Sequence, residues 1–176
     1  AAPEPNGGAA LDAAPSRERS DLPVTFQDVA RAHARIRDGV ERTRCARSHF
    51  LSQLLDPCGS GLDIWLKHEQ QQFTGSFKER GARNALLLLS EAQRREGVVA
   101  ASAGNHALAL ARHGADLGVQ VTVCMPTIAP LAKQEKCRAL GAEVVLAGDH
   151  LAEARAVADR DFASKTYING YDDPEI

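Results

Sequence analysis

Residues 97–125 read GVVAASAGNHALALARHGADLGVQVTVCM, and this segment carries the strongest fold signal in a chain of 176 residues. A short apolar strand, Val98–Ala101, precedes a helical pattern over Asn105–Leu117, and a second apolar strand follows over Val119–Met125. Gly118 stands between the helix and the second strand, where a glycine commonly ends a helix. Strands that alternate with helices of this length predict a parallel β-sheet covered by helices.

The same alternation continues towards the end of the chain and repeats the glycine at a helix end, Gly141. The further elements predicted are two helices and two strands: Ala129–Leu140, Val144–Leu146, Leu151–Phe162 and Lys165–Asn169. Residues 97–170 are therefore expected to form an open, twisted parallel α/β sheet.

The preceding residues, 23–96, predict fewer elements. Thr25 is expected to cap a helix that ends near Gly39, residues 56–61 form a turn, Leu62–Lys67 alternates as a strand, and a helix begins near Ser76 and ends at Leu89. These elements are expected to lack the partners for a sheet of their own. Residues 1–22 are rich in Ala, Pro, Gly and charge, and we expect a disordered linker or the remnant of a processed peptide.

Composition excludes several classes of function. A formal net charge of -2 supplies no field for nucleic acid or an acidic membrane, and the longest apolar stretch, Ala85–Leu89, is far shorter than the roughly 20 residues of a membrane span. The four cysteines form no CxxC pair and have no histidine at zinc-ligand spacing, so no metal site is predicted. We expect a reducing compartment, the cytoplasm or an organelle interior, and no secretion.

A first candidate for chemistry is the sequence TGSFKERGA, which begins at Thr74. Thr74 or Ser76 is the expected helix cap, which places Lys78 in or beside the first turn. The positive end of the helix dipole disfavours an ammonium there, and Phe77 and Arg80 act in the same direction. Lys78 is therefore a candidate nucleophile towards a carbonyl cofactor. The alternative is a lysine whose stem packs on Phe77 and whose amine reaches water.

A second candidate is the junction Ser102-Ala103-Gly104-Asn105-His106. Ser102 and Asn105 bring side-chain donors, Gly104 lets a ligand approach the backbone, and the helix that follows offers unpaired amides, so a carboxylate or phosphate would be bound here. The alternative is that Ser102 or Asn105 only caps its own helix. His106 is expected to be a helix-end histidine with a backbone partner.

Other polar residues predict no site. Four histidines without a companion at ligand or catalytic spacing are expected on the surface: His33, His49, His113 and His150. The Gly-Ser-Gly of residues 59–61 precedes a strand instead of a helix, which favours a turn over a phosphate loop.

Three motifs in order, LKHE at 66–69, QFTGSFKERGA at 72–82 and SAGNHA at 102–107, resemble the threonine dehydratase and serine racemase group of fold type II pyridoxal-phosphate enzymes. The resemblance extends from about Leu22 to Pro174. It implies a tryptophan-synthase-β-like fold with a complete small α/β domain at 97–170 and an incomplete large cofactor domain. Residues 23–96 would be the N-terminal part of that large domain, and residues 171–176 would return towards it.

The resemblance also implies roles. Lys78 would carry pyridoxal 5'-phosphate as a Schiff base, Phe77 would lie against the pyridine ring, and Asn105 would bond the ring's 3-hydroxyl group. The loop of Ser102, Ala103, Gly104, Asn105 and His106 would receive the substrate carboxylate. No metal is implied for the residues present.

The implied reaction is removal of the α-proton by Lys78 and loss of the β-hydroxyl group, so that L-threonine or L-serine gives a 2-oxo acid and ammonia. Racemases of this group carry a serine where this chain has Ala103, which favours a dehydratase. A serine racemase or another β-replacing enzyme is the alternative among enzymes, and a non-catalytic binding or regulatory subunit is the alternative outside them.

The glycine-rich phosphate loop of the family lies downstream of its small domain and is expected beyond residue 176. The 176 residues alone are therefore expected to be inactive, and the whole protein is expected to form a homo-oligomer.

Overall fold

The computed structural model describes residues 23–176, and the expectation of disorder for residues 1–22 lies outside them. Within the described residues the helices, numbered α1 to α7 in chain order, are Phe26–Ile36, His49–Leu55, Lys78–Leu88, Glu91–Glu96, Asn105–Leu117, Leu131–Ala139 and Leu151–Asp161. The strands of the same part of the chain, numbered β1 to β6, are Cys45–Arg47, Trp65–Lys67, Val98–Ala101, Val121–Met125, Glu143–Leu146 and Thr166–Tyr167.

Four strands form a parallel sheet in the order β5-β4-β3-β6, as the alternation of strands and helices predicts. β3 is central, with Val98 beside Val121 of β4 on one side and beside Thr166 of β6 on the other. Because all four strands are parallel, their carboxyl ends meet at one edge of the sheet. That edge is where open α/β sheets bind ligands.

Helices cover both faces of this sheet. On one face Leu110 of α5 and Leu86 of α3 belong to the large apolar core with Val98 and Val123, and all four side chains are fully buried. On the other face Ala154 and its neighbours on α7 pack against Val99 and Cys124. The near-continuous apolar sequence of β3 and β4 follows from this burial on both faces.

The two glycines predicted to end helices both adopt left-handed backbone. Gly118 has φ 66° and ψ 31°, and its amide donates to carbonyl oxygens of the last turn of α5. Gly141 has φ 84° directly after α6. A residue with a Cβ atom is strained in this region, so the glycines mark where each helix ends and the chain turns to the next strand.

The first part of the described chain differs from expectation. β2 is shorter than predicted and pairs antiparallel with β1, Cys45 lying beside Lys67, so a two-stranded sheet exists where no partner was expected. α2 and α4 were not predicted either. The expected turn at 56–61 is confirmed. The Asp56 carboxylate accepts the amides of Leu62, Ser60 and Gly61, and these bonds, that of Leu62 first, lower the Asp56 pKa to about 2.

Candidate active site

Lys78 is the first residue of α3, the position that the sequence predicts. The residue before it, Phe77, caps the helix without a side-chain hydrogen bond. Ser76 accepts the Lys78 amide at 3.3 Å, but Thr74, the other expected cap, bonds the carboxylate of Glu79 instead. The helix therefore begins where predicted. The prediction that Thr74 or Ser76 caps it is wrong, because Phe77 occupies the cap position and Thr74 bonds the side chain of Glu79 in the first turn.

The Lys78 amine lies at the pocket described below. Its Nζ donates a hydrogen bond to the carbonyl oxygen of Gly170, and it lies 5.5 Å from the centroid of the Phe77 ring and 5.8 Å from that of Tyr171. The residue is partly buried. The alternative of an amine directed to bulk water is therefore wrong. The partner of the amine is thus an uncharged backbone carbonyl.

The segment that we call the loop 102–106 consists of residues 102–104, which connect β3 to α5, and the first two residues of α5, Asn105 and His106. Gly104 caps α5 with φ -129° and ψ -147° and without a side-chain hydrogen bond, so the alternative that Ser102 or Asn105 caps this helix is wrong. Ser102 instead accepts the Gly104 amide at 3.3 Å. The amides of the first helical turn have no carbonyl partner within the helix, and they give the loop its capacity for an anion.

One cavity of about 400 Å³ brings the two candidate junctions together. Lys78 contributes its wall from α3, and the loop 102–106 contributes another from the end of β3. The other lining residues were not predicted and are Pro126, Leu151, Gly170 and Tyr171. Pro126 and Gly170 follow the parallel strands β4 and β6, and Leu151 is the first residue of the helix after β5. The rule that ligands bind at the carboxyl edge of a parallel sheet could therefore have identified these three.

A match to a protein-family model then identifies the family. The model describes pyridoxal-phosphate dependent enzymes and matches residues 36–176. The chain belongs to this family. The resemblance inferred from the motifs is confirmed, and so is the family's cofactor, pyridoxal phosphate.

Individual relatives of this pyridoxal-phosphate dependent chain point the same way. L-threonine ammonia-lyase of Thermotoga maritima is 41% identical over 155 residues, which cover 87% of this chain and 37% of that enzyme. Serine racemase from Dictyostelium discoideum superposes with a TM-score of 0.78 at 30% identity, over 88% of this chain and 49% of that one. The processed form of threonine deaminase isoform 2 from Solanum lycopersicum superposes with a TM-score of 0.76 at 33% identity, over 98% of this chain and 47% of that one.

The chain spans less than half the length of each of these relatives. Their likeness confirms the predicted fold type II α/β class. The division into a small domain at 97–170 and a large domain around it stays a prediction. α3 precedes the predicted boundary and α5 follows it, and the two helices pack against each other.

The pocket residues fit the aldehyde end of pyridoxal phosphate. An amine that has only a neutral carbonyl partner, at the wall of a 400 Å³ cavity, is a suitable group for a covalent bond to an aldehyde. Asn105 is exposed at the rim, and its Oδ1 accepts a hydrogen bond from Lys133 Nζ at 3.0 Å, so its amide nitrogen remains to donate to a ligand oxygen. The ring of Phe77 is 60% exposed.

His106 is buried behind the loop and keeps the backbone partner predicted for it. Its Nε2 lies 3.2 Å from the carbonyl oxygen of Ile168. Burial lowers the pKa of His106, the Ile168 carbonyl acts in the opposite direction, and the charge of Lys78 lowers it further. The imidazole is therefore neutral at pH 7 and adds no positive charge to the cavity.

One histidine lies where the sequence did not place it. His113 is only 1% exposed, so the expectation of a surface position is wrong, whereas His33, His49 and His150 are exposed as expected. Its partner is the carboxylate of Glu79, 3.3 Å away and equally buried. The pair is 34 positions apart in sequence, and sequence spacing alone gives no signal for it.

The remaining expectations concern metals, thiols and membranes. Among residues 23–176 no group of three or more His, Cys, Asp and Glu side chains is arranged to hold a metal ion. All four cysteines are free: Cys45 and Cys58 are exposed, and Cys124 and Cys137 are buried. Over the same described range, none of the helices has the length and apolar character to span a bilayer.

Proposed function

We propose that the whole protein is a pyridoxal-phosphate-dependent ammonia-lyase that converts L-threonine or L-serine to a 2-oxo acid and ammonia. The observation that carries the proposal is the shared cavity, in which the Lys78 amine and the loop 102–106 line the same 400 Å³. A substrate held by its carboxylate at the loop would have its α-carbon between the loop and the amine. The name of the Thermotoga maritima relative, a threonine ammonia-lyase, supports the reaction class.

Lys78 has two roles in this proposal. Its Nζ would hold the cofactor covalently, and the same Nζ, when free, would remove the α-proton of the substrate. Bound pyridoxal phosphate supplies an aldehyde carbon for these bonds and a pyridine ring that takes up negative charge. Gly170 holds the amine at the cavity wall through its carbonyl oxygen. An uncharged acceptor gives up this hydrogen bond more readily than a carboxylate would.

The loop and the aromatic ring orient what Lys78 acts on. We assign the substrate carboxylate to the amides and side chains of Ser102, Ala103, Gly104, Asn105 and His106, with the Asn105 amide also donating to the cofactor's 3-hydroxyl oxygen. The neutral state of His106 leaves the carboxylate to the helix N-terminus and its amides. Phe77, beside the amine, would lie against the ring.

A second candidate is a serine racemase, favoured by the superposition on the Dictyostelium discoideum structure at a TM-score of 0.78. Racemisation needs a second proton donor on the opposite face of the substrate, and Ala103 at the loop has no group that transfers a proton. The product decides between the two. Pyruvate from L-serine supports the lyase, and D-serine as the main product would require the racemase instead.

The test compares Lys78→Ala with Lys136→Ala, which removes an exposed lysine of α6. We expect the whole protein to acquire an absorption band when pyridoxal phosphate is added, and to release 2-oxo acid and ammonia from L-threonine. Lys78→Ala should lose both, because no amine remains to form the bond, and Lys136→Ala should keep both. A band of full intensity in Lys78→Ala would refute the assignment.

Association and compartment belong to the same proposal. We propose a homo-oligomer in a reducing compartment, the cytoplasm or an organelle interior, with a small amino acid as the ligand and no nucleic acid. Size-exclusion chromatography of the whole protein tests the association. A form that binds an intact homologue but turns over no substrate would support the alternative of a regulatory subunit.

A further inference from the structure

Glu79, the residue after Lys78, is buried in a position where the mechanism does not use it. Its side chain is 3% exposed although it carries a carboxylate. Burial of a carboxylate without partners costs several kcal/mol, so the contacts of the Glu79 side chain must offset that cost.

One oxygen of the Glu79 carboxylate holds the turn before Lys78. Oε1 accepts hydrogen bonds from the backbone amide of Thr74 and from the Thr74 hydroxyl group, the latter at 2.8 Å. These two bonds close the loop from Thr74 to Phe77 back on the first turn of α3. The loop therefore has its conformation set by the residue that follows Lys78.

The other oxygen lies against α5, the helix that begins at the loop 102–106. Oε2 lies 3.3 Å from Nε2 of His113 on α5, although the geometry is not that of a hydrogen bond. Nδ1 of the same ring lies 3.3 Å from Nη1 of Arg83, which can only donate, so Nδ1 is the acceptor and the ring proton is on Nε2. His113 also has Asp116 at 3.8 Å from Nδ1. Burial is the main cause that lowers its pKa.

Thr74 presents two donors to Oε1 of Glu79, its amide and its hydroxyl group, and the Nε2–H of His113 lies near Oε2 without forming a hydrogen bond. A carboxylate suits both sides, because neither of its oxygens carries a hydrogen that would oppose these donors. An amide in its place would direct its NH₂ group at Thr74 or at His113. The proton of the His113 ring could not move from Nε2 to Nδ1, because Arg83 donates a hydrogen bond to Nδ1.

We propose that Glu79 is a positioning residue for Lys78, which holds the turn before the amine against the first turn of α3, where that helix packs on α5. This inference rests on the proposed function. Through Thr74 the carboxylate sets where Lys78 leaves the loop, and its other oxygen lies against His113 where α3 packs on α5. The Lys78 amine then meets the cavity wall at Gly170 with little freedom to be lost when it reacts.

The test measures how fast Lys78 captures pyridoxal phosphate in the whole protein after its cofactor has been removed. The amine and the aldehyde form a C=N bond with release of water, and borohydride then adds hydride to the carbon while the nitrogen takes a proton. Mass spectrometry of the Lys78 peptide at a series of times gives the rate constant. Glu79→Gln should capture at least about tenfold more slowly, and Glu91→Gln, at an exposed carboxylate of α4, should stay within about twofold of the parent.

A second pair of variants keeps the test decisive if Glu79→Gln does not fold. Thr74→Val removes only the hydroxyl bond to Glu79 and should slow capture about threefold, and Thr74→Ser, which restores a hydroxyl, should return the parent rate. Circular dichroism confirms that each variant is folded at the assay temperature. A role in stability alone would lower the unfolding temperature and leave the capture rate of the folded protein unchanged.

The outcomes separate the two proposals. If the parent protein captures the cofactor at Lys78 but Thr74→Val, and any folded Glu79→Gln, do so at the parent rate, the positioning role is overturned and the proposed function stands. If the parent protein shows no capture at Lys78, the proposed function itself fails.

Discussion

Gly170 occupies a position where a single methyl group tests the geometry of the candidate site. Its carbonyl oxygen accepts the hydrogen bond of Lys78, and its Cα faces the ring of His106. A Cβ atom at this residue would lie 2.6 Å from Cγ and 2.7 Å from Cδ2 of that ring. Carbon atoms pack at about 3.5 to 4.0 Å, so either the ring or the backbone of Gly170 must move by roughly 1 Å.

The cost of Gly170→Ala follows from what must move. Overpacking of a buried site costs about 1 to 3 kcal/mol, and displacement of the His106 ring weakens its hydrogen bond to Ile168, worth about 0.5 to 1.5 kcal/mol. The alanine restricts the unfolded chain and returns about 0.4 to 1 kcal/mol. The clash outweighs this gain, and we expect a net loss of about 2 kcal/mol in the free energy of unfolding.

Urea unfolding measures this loss, and two further variants show its origin. Gly104→Ala is the control for packing, since a Cβ atom there meets no heavy atom within 4 Å, and it should change the free energy of unfolding by less than about 1 kcal/mol. His106→Ala removes the ring, so Gly170→Ala should cost less in that background by about 1 kcal/mol or more. A loss below about 0.5 kcal/mol for Gly170→Ala, or the same loss in both backgrounds, would refute the packing argument.

Two further predictions concern titration. Burial raises the pKa of Cys124 and Cys137 to about 11, so iodoacetamide at pH 8 should alkylate the exposed thiols of the native protein and spare these two; mass spectrometry identifies the products, and modification of all four at equal rates would contradict it. The pKa of Glu69 is lowered to about 2, mainly by the hydrogen bond from Arg80 and less by those from other side chains. This carboxylate therefore stabilises the fold above its unfolded pKa, and that contribution is lost as the pH falls from about 4.5 to 2. Glu69→Gln should therefore reduce the loss of stability over that range, and an unchanged acid profile would contradict the assignment.

The parts of the fold that were predictable from sequence are those with strong local signals. β3 and α5 begin and end at the predicted residues, because an apolar strand buried on both faces and a helix closed by Gly118 need no distant partner to be recognised. β1 was missed because it is short and exposed, and its pairing partner, β2, lies beyond an intervening helix. The observed ends of the other predicted elements differ from the predicted ends by up to three residues, because the last turn of a helix or the last pair of a strand is weakly defined by sequence.

The candidate site divides along the same line. Lys78 and the loop 102–106 were predictable because each is a local motif at a helix start. Gly170 and the buried state of His113 were not, because both depend on residues far away in the chain: Lys78 and Glu79 respectively. Thr74 was mispredicted for a different reason: its partner, Glu79, is only five residues away, but a threonine before a helix has the chemistry of a cap, and the sequence does not show that its hydroxyl group bonds a side chain instead.

This division bears on how the site works. The loop 102–106 lies at the carboxyl end of β3, one of the two inner strands of the sheet, and its amides come from the start of α5. Its capacity for a carboxylate therefore depends on a single strand-to-helix junction. The amine comes from outside the sheet, on α3, and reaches the loop only because α3 packs on α5 and because Gly170, after the edge strand β6, supplies the carbonyl that receives it. We therefore expect changes in the α3–α5 contact to act first on the Lys78 amine and to leave the amides of the loop 102–106 in place.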